Sequence, residues 1–162
     1  MEIVSVDRGM LEAVAPLVAD FRVVLRGFKG EEAAPDLPAA REELEEFLDR
    51  GFPVYSAMEN GRALGYLVCR VDGGCVWVEH IFVAENARRR GVASALYDRA
   101  QALAESMGED TLYNYVHPNN DGMIAFLRAK GYTVLNLIEI RRPWRGEKPS
   151  STVRVNGHAF DY

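Results

Sequence analysis

The chain has 162 residues, with 24 acidic side chains against 19 lysines and arginines and a formal net charge of −5. That length makes a single domain over residues 1–162 with a real core, and the acidic balance argues against nucleic acid or an anionic membrane as partner. Two cysteines, Cys69 and Cys75, form no disulfide framework and have no metal-ligand spacing, and MEIVSVDRGM has no apolar signal core, so a reduced, metal-free, cytoplasmic protein is expected.

Residues 2–6 alternate as a short strand. MLEAVAPLVADFRVVL then carries Leu11, Val14, Leu17, Val18 and Phe21 at helical spacing, with Asp7 available as a cap. RGFKGEEAAPDLPAA reads as a loop, and AAREELEEFLDR as a second amphipathic helix stopping at Gly51. From Phe52 onward the period changes, and Pro53 opens the next strand. VYSAME, a hairpin turn at Asn60-Gly61, RALGYLVCRV, a turn at Asp72-Gly73-Gly74 and CVWVEHIFV make a three-strand antiparallel meander.

After an arginine-rich loop, GVASALYDRAQALAESMG is a helix and TLYNYVH a strand. HPNNDG turns into the helix DGMIAFLRAKG, which closes at Gly131. YTVLNLIEIRR is expected as a long strand and STVRVNGHAFDY as a final hairpin around Asn156-Gly157. The order β-α-α-β-β-β-α-β-α-β-β gives an α/β protein of α+β type, with a mixed, mainly antiparallel sheet and helices on both faces.

The stretch that carries chemistry is EHIFVAENARRRGVASAL. Arg88-Arg89-Arg90 stands where a strand hands over to a helix, on a protein of the opposite net sign. Gly91 permits a tight turn and close backbone approach. The first helical turn leaves N–H groups pointing outward, which with the helix dipole make an anion site. The neighbouring guanidiniums match phosphate oxygens. A charge run alone is more often a solvated loop; the order strand, loop, helix favours an anion. No Gly-x-Gly-x-x-Gly and no lysine-serine pair is present, so a nucleotide loop is disfavoured.

At these residues the chain resembles the GNAT superfamily of N-acetyltransferases. Arg88-x-x-Gly91-x-Ala93 matches that family's [QR]-x-x-G-x-[GA] signature, preceded by the strand Glu79-His80-Ile81-Phe82-Val83. Asn120 opening a helix, with Gly131-Tyr132 after it, resembles a second family motif. The resemblance implies the acyl-CoA N-acyltransferase fold and transfer of an acetyl group from acetyl-CoA to a primary amine of a small molecule or peptide by direct attack.

It further implies that Ile81, Phe82 and Val83 hydrogen-bond the pantetheine arm through their backbone, and that the pyrophosphate lies on Arg88, Arg89, Arg90, Gly91, Val92, Ala93 and Ser94. Asn120 would contact the coenzyme and the Ile81 amide the oxyanion. Glu79, an acidic residue in an apolar strand where burial would raise its pKa, is the candidate catalytic base; its bland reading is a paired strand-end glutamate. His80 and His117 are alternatives that are more often structural.

Many members place a tyrosine where Leu127 stands, and its phenol protonates the departing thiolate. Leucine cannot, so Tyr113, Tyr115 or Tyr132 would have to substitute, or solvent would. A non-catalytic acyl-CoA-binding domain is therefore the alternative function. Tyr115 also stands where members acting on ribosomal-protein N-termini tend to have glutamate. The acceptor side would draw on Phe21, Arg22, Arg26 and Phe28, though amphipathic helix packing with solvated arginines is the favoured reading of those. A terminal hairpin could also pair two copies in a homodimer.

Overall fold

The computed structural model describes residues 1–162 and divides into two compact units, Met1–Ile124 and Ala125–Tyr162. The first contains β1 (Glu2–Ser5), α1 (Leu11–Gly27), α2 (Leu37–Asp49), β2 (Val54–Glu59), β3 (Arg62–Asp72), β4 (Cys75–Val83), α3 (Val92–Ser106) and β5 (Leu112–Asn114). It also holds the start of α4 (Asp121–Ala129); β6 (Thr152–Val155) and β7 (His158–Asp161) belong to the second.

The sheet of the first unit runs β1-β2-β3-β4-β5. Short turns impose antiparallel pairing on β2, β3 and β4, β1 pairs antiparallel with β2 after the chain passes through α1 and α2, and the α3 crossover makes β5 parallel to β4. Alternation along β3 fixes the two faces. Tyr66 meets Phe21 of α1 edge-on at 6.3 Å between ring centroids. At the preceding residue, a Cβ added to Gly65 would reach Val92 Cγ1 of α3 at 3.1 Å and the Phe82 carbonyl oxygen at 2.8 Å. Helices therefore lie on both faces, and Gly65 is small because strand and helix come too close for a side chain.

The core between α1, α2 and the sheet includes Val14, Val18, Leu44, Tyr66 and Val68, all with essentially no exposed surface. Asp7 does cap, but for a 3-10 turn ahead of α1, accepting from the Gly9 N–H at 2.8 Å. Asp36 caps α2 through the Ala39 N–H at 3.0 Å. Cys69 is buried and Cys75 half-buried, both as free thiols; burial pushes the Cys69 thiol up to about 12. No helix is long and apolar enough to cross a membrane.

The second unit departs from expectation. The strand expected over residues 132–142 is absent: that segment has no regular secondary structure, and Val134 and Leu137 are 88% and 75% exposed. Alternation supplies propensity, but a strand exists only where a neighbour closes its ladder, and β6 and β7 pair only with each other. The expected terminal hairpin does form, from Thr152↔Asp161 to Val155↔His158.

Candidate functional site

Strand β4 leads two lives. Over Val76–Val78 it is hydrogen-bonded on both sides, to β3 and to Leu112–Asn114 of β5. From His80 to Val83 it pairs only with β3, because β5 ends at Asn114 and the chain leaves the sheet. A bulge marks the change: Val68 faces His80 and Cys69 faces Val78, so Glu79 is the extra residue. Beyond the bulge, β4 has no strand partner on its β5 side.

A cavity of about 60 Å³ lies at this divergence, lined in part by Val78, Glu79, Ile81, Tyr115, His117 and Asn120. Asn120 caps α4, its Oδ1 accepting from the Met123 N–H at 3.1 Å. Asn114 is anchored by the Tyr97 hydroxyl of α3, which donates to its Oδ1. The residues opposite the open strand are therefore held by a helix cap and by a side-chain tie to α3.

The expected site residues divide as follows. Ile81 lines the cavity, whereas the Phe82 ring turns to α1 and packs 6.0 Å from Phe21. The Val83 carbonyl accepts from Arg88 Nε at 3.2 Å, which curls the arginine back over the strand end, with its guanidinium 5.8 Å from the Phe82 ring centroid. Arg89 has φ +61° and Gly91 φ +80°, so the loop twice takes left-handed backbone just before α3.

No side chain caps α3, and its first internal bond is from the Ala95 N–H to the Gly91 carbonyl at 3.0 Å. The Val92, Ala93 and Ser94 amides thus precede the first closed turn and point out of the helix. Arg90 is turned elsewhere: its Nη2 donates to both Glu59 oxygens at 3.0 and 2.8 Å, and this bond holds the Glu59 carboxyl below the ordinary range.

Glu79 is not isolated among apolar groups as expected. Arg70 Nε donates to its Oε1 at 2.6 Å, and Arg70 Nη1 also reaches Asp72 at 2.9 Å. The Glu79 hydrogen bond is the main reason the Arg70 guanidinium is held above its ordinary pKa. Arg70 escaped the sequence reading, although the Asp72-Gly73-Gly74 hairpin sets it opposite Trp77 and so diagonal to Glu79.

The two histidines occupy different places. His80 packs at 4.7 Å from Phe21 and 5.0 Å from Phe47, and Tyr66 Oη lies 3.2 Å from its Nδ1. Burial lowers its pKa, Glu43 and Glu79 oppose that, and it has a structural role in the core. His117 lines the cavity, stacks on Phe28 at 5.4 Å, and accepts from the Asn119 N–H at Nδ1 (3.3 Å). Burial, then Lys29, lowers its pKa. A neutral ring accepting at Nδ1 carries its proton on Nε2 and is a donor there. Arg22 is engaged by Glu43 at 2.7 Å.

No three His, Cys, Asp or Glu side chains come together in a way that could hold a metal ion.

The model of the Acetyltransferase (GNAT) family matches residues 20–132. No curated protein matches the chain. Among solved structures, a probable acetyltransferase superposes with a TM-score of 0.71 at 24% identity, over 91% of this chain and 100% of its own. AAC(6')-Iy, in complex with the bisubstrate analog CoA-S-monomethyl-acetylneamine, gives 0.68 at 23% identity, over 88% and 97%. A ribosomal-protein-alanine N-acetyltransferase from Brucella melitensis biovar Abortus 2308 gives 0.69 at 18%, over 89% and 100%. These likenesses establish the fold, and the family match over most of the chain establishes more: it belongs to the GNAT family of acetyltransferases.

Proposed function

We propose that the chain is an N-acetyltransferase that moves the acetyl group of acetyl-CoA to a primary amine. The observation that carries this reading is the free side of β4 over His80–Val83, which the chain follows, through a 3-10 turn at Glu85–Ala87 and the arginine loop, with the uncapped N-terminus of α3. An extended pantetheine arm fits an open strand edge as an added strand would. A pyrophosphate fits the left-handed Arg89-to-Gly91 turn and the outward amides of Val92, Ala93 and Ser94. Arg88 and Arg89 border that position, while Arg90 acts on Glu59 and holds the loop. AAC(6')-Iy, of the same fold, binds a CoA-linked bisubstrate analog.

Bound acetyl-CoA supplies an activated thioester. The residues of this chain then manage two protons and one developing charge. Glu79, fixed by Arg70, takes the proton from the ammonium; His117 is less suited, since its Nε2 already bears hydrogen. The amine nitrogen forms the new C–N bond as the C–S bond breaks, and the Ile81 amide donates to the carbonyl oxygen as negative charge grows there. Of the tyrosines that could replace the missing phenol at Leu127, Tyr115 lines the cavity and Tyr113 is stacked under Trp77. Tyr115 is accordingly the proposed donor to the departing thiolate, and its phenolate is restored by the second proton, which the newly acylated nitrogen releases.

A thermal shift with acetyl-CoA, against adenosine diphosphate, tests the binding half. Ligand at a hundred times Kd should add about 2.7 kcal/mol. Thiol release with a primary amine tests the chemistry. Binding without thiol release from any amine would leave an acyl-CoA-binding domain; no shift at millimolar acetyl-CoA would overturn the whole reading.

A further inference from the structure

The cavity, about 60 Å³, has room for an ammonium and a short arm, and a larger acceptor would extend over its rim. The rim beside Glu79 is aromatic. Trp77 of β4 stacks on Tyr113 at 4.7 Å and 29°, and on Tyr115 at 4.9 Å and 16°. Arg70 extends the row, with its guanidinium 5.4 Å from the Trp77 ring centroid.

These rings share the sheet face that carries Tyr66 and Phe82 on neighbouring strands, which α1 covers through Phe21. At Tyr115 the cover is gone: its side chain is 62% exposed although it borders the cavity. A cross-strand aromatic pair inside the sheet would explain Trp77 and Tyr113. It does not explain Tyr115, which lies beyond the end of β5 at Asn114.

Resting on the acetyl-transfer reading of this cleft, we propose that Trp77 and Tyr115 form the acceptor platform, and that the acceptor is a primary amine carried on a short arm from a flat aromatic ring. The ring stacks on Tyr115 while the arm places the ammonium in the cavity beside Glu79. Tyr115 is already held by Trp77, so little side-chain freedom is lost on stacking. Arg70, Asp72 and Glu79 together leave one carboxylate in excess, which suits a cation.

The test compares 2-phenylethylamine with 2-cyclohexylethylamine, which matches it in arm and size but is not flat, and with glucosamine. At saturating acetyl-CoA, kcat/KM should favour 2-phenylethylamine at least tenfold. Tyr115→Leu and Trp77→Ala should bring the ratio close to one, whereas Tyr115→Phe should keep the preference even if turnover falls with loss of the phenol. Equal use of the ring pair, preference for glucosamine, or a ratio unmoved by Tyr115→Leu would overturn the proposal while leaving acetyl transfer standing. An independent readout is Trp77 fluorescence in a Trp144→Phe background: saturable quenching by 2-phenylethylamine but not by its cyclohexyl counterpart is expected. Its absence contradicts the platform whether or not acetyl-CoA binds.

Discussion

The two halves of β4 are one continuous strand with opposite surroundings. Val76–Val78 is paired on both sides and its alternate residues are buried, so it behaves as core sheet. Glu79–Val83 continues the same strand beyond a bulge, loses its β5 neighbour, and keeps half-buried side chains throughout. One strand is thereby both scaffold and receptor. The paired half fixes the position of the open half, and on the proposed reading the backbone groups left without a strand partner bind the coenzyme. A functional edge inside a sheet is tolerable here because the first paired residues and the α3 loop bound it closely, leaving too short a stretch for indiscriminate strand addition.

The sharpest way to break this comparison is at the residue between the halves. Glu79→Gln should lower kcat about a hundredfold, within the usual range for a lost general base, with little change in the KM for acetyl-CoA. Equal kcat for the variant would place the proton acceptor elsewhere. On the paired side of the strand the effect should be structural. A side chain at Gly65 meets the Phe82 carbonyl oxygen at 2.8 Å, so Gly65→Val should cost about 1–3 kcal/mol of stability in chemical denaturation. A neutral result would mean that β3 and β4 can separate without cost.

A smaller effect sharpens the comparison at the far end of the open half. Ser94→Glu puts a negative charge on the first turn of α3, where it should stabilise the free protein by about 0.3–1 kcal/mol and weaken acetyl-CoA binding about tenfold. A gain in melting temperature with unchanged affinity would remove the helix terminus from the coenzyme site. Smallest is a pH effect. His80 is kept neutral by burial, with its folded pKa below the ordinary 6.5. As pH falls through that value the unfolded chain takes the proton first, so stability should decline until the folded pKa is passed and then level off. Thermal melts from pH 7.5 to 5 should show this decline for the native protein and less of it for His80→Phe.

What could be read in the sequence follows the reach of its signals. Local turn chemistry was legible: Asn60, Gly61, Gly73, Gly74 and Gly91 all adopt the positive φ that the hairpins and the loop before α3 require. The same residues outline the meander and the loop before α3 that is proposed to hold the coenzyme. Pairings across many residues were not legible. Arg70 with Glu79 depends on a bulge register, and Arg90 with Glu59 joins positions 31 apart, so neither leaves a periodic trace. The expected strand over 132–142 fails for a related reason: alternating apolar residues describe what a strand would look like, and nothing in the pattern supplies the neighbour it needs. The proposed platform at Trp77 and Tyr115 falls between the two: both residues are plain in the sequence, but the stack forms where the chain leaves the sheet beyond Asn114, which no periodic pattern marks.

The measurement that tests the central claim most directly is amide hydrogen exchange of the free protein and of the protein with saturating acetyl-CoA. The account predicts added protection at the Ile81–Val83 and Gly91–Ser94 amides and almost none at Val76–Val78, whose sheet bonds are already made. Protection gained elsewhere with those two stretches unchanged, or gained equally along the whole of β4, would contradict the division of this strand into a scaffold half and a binding half.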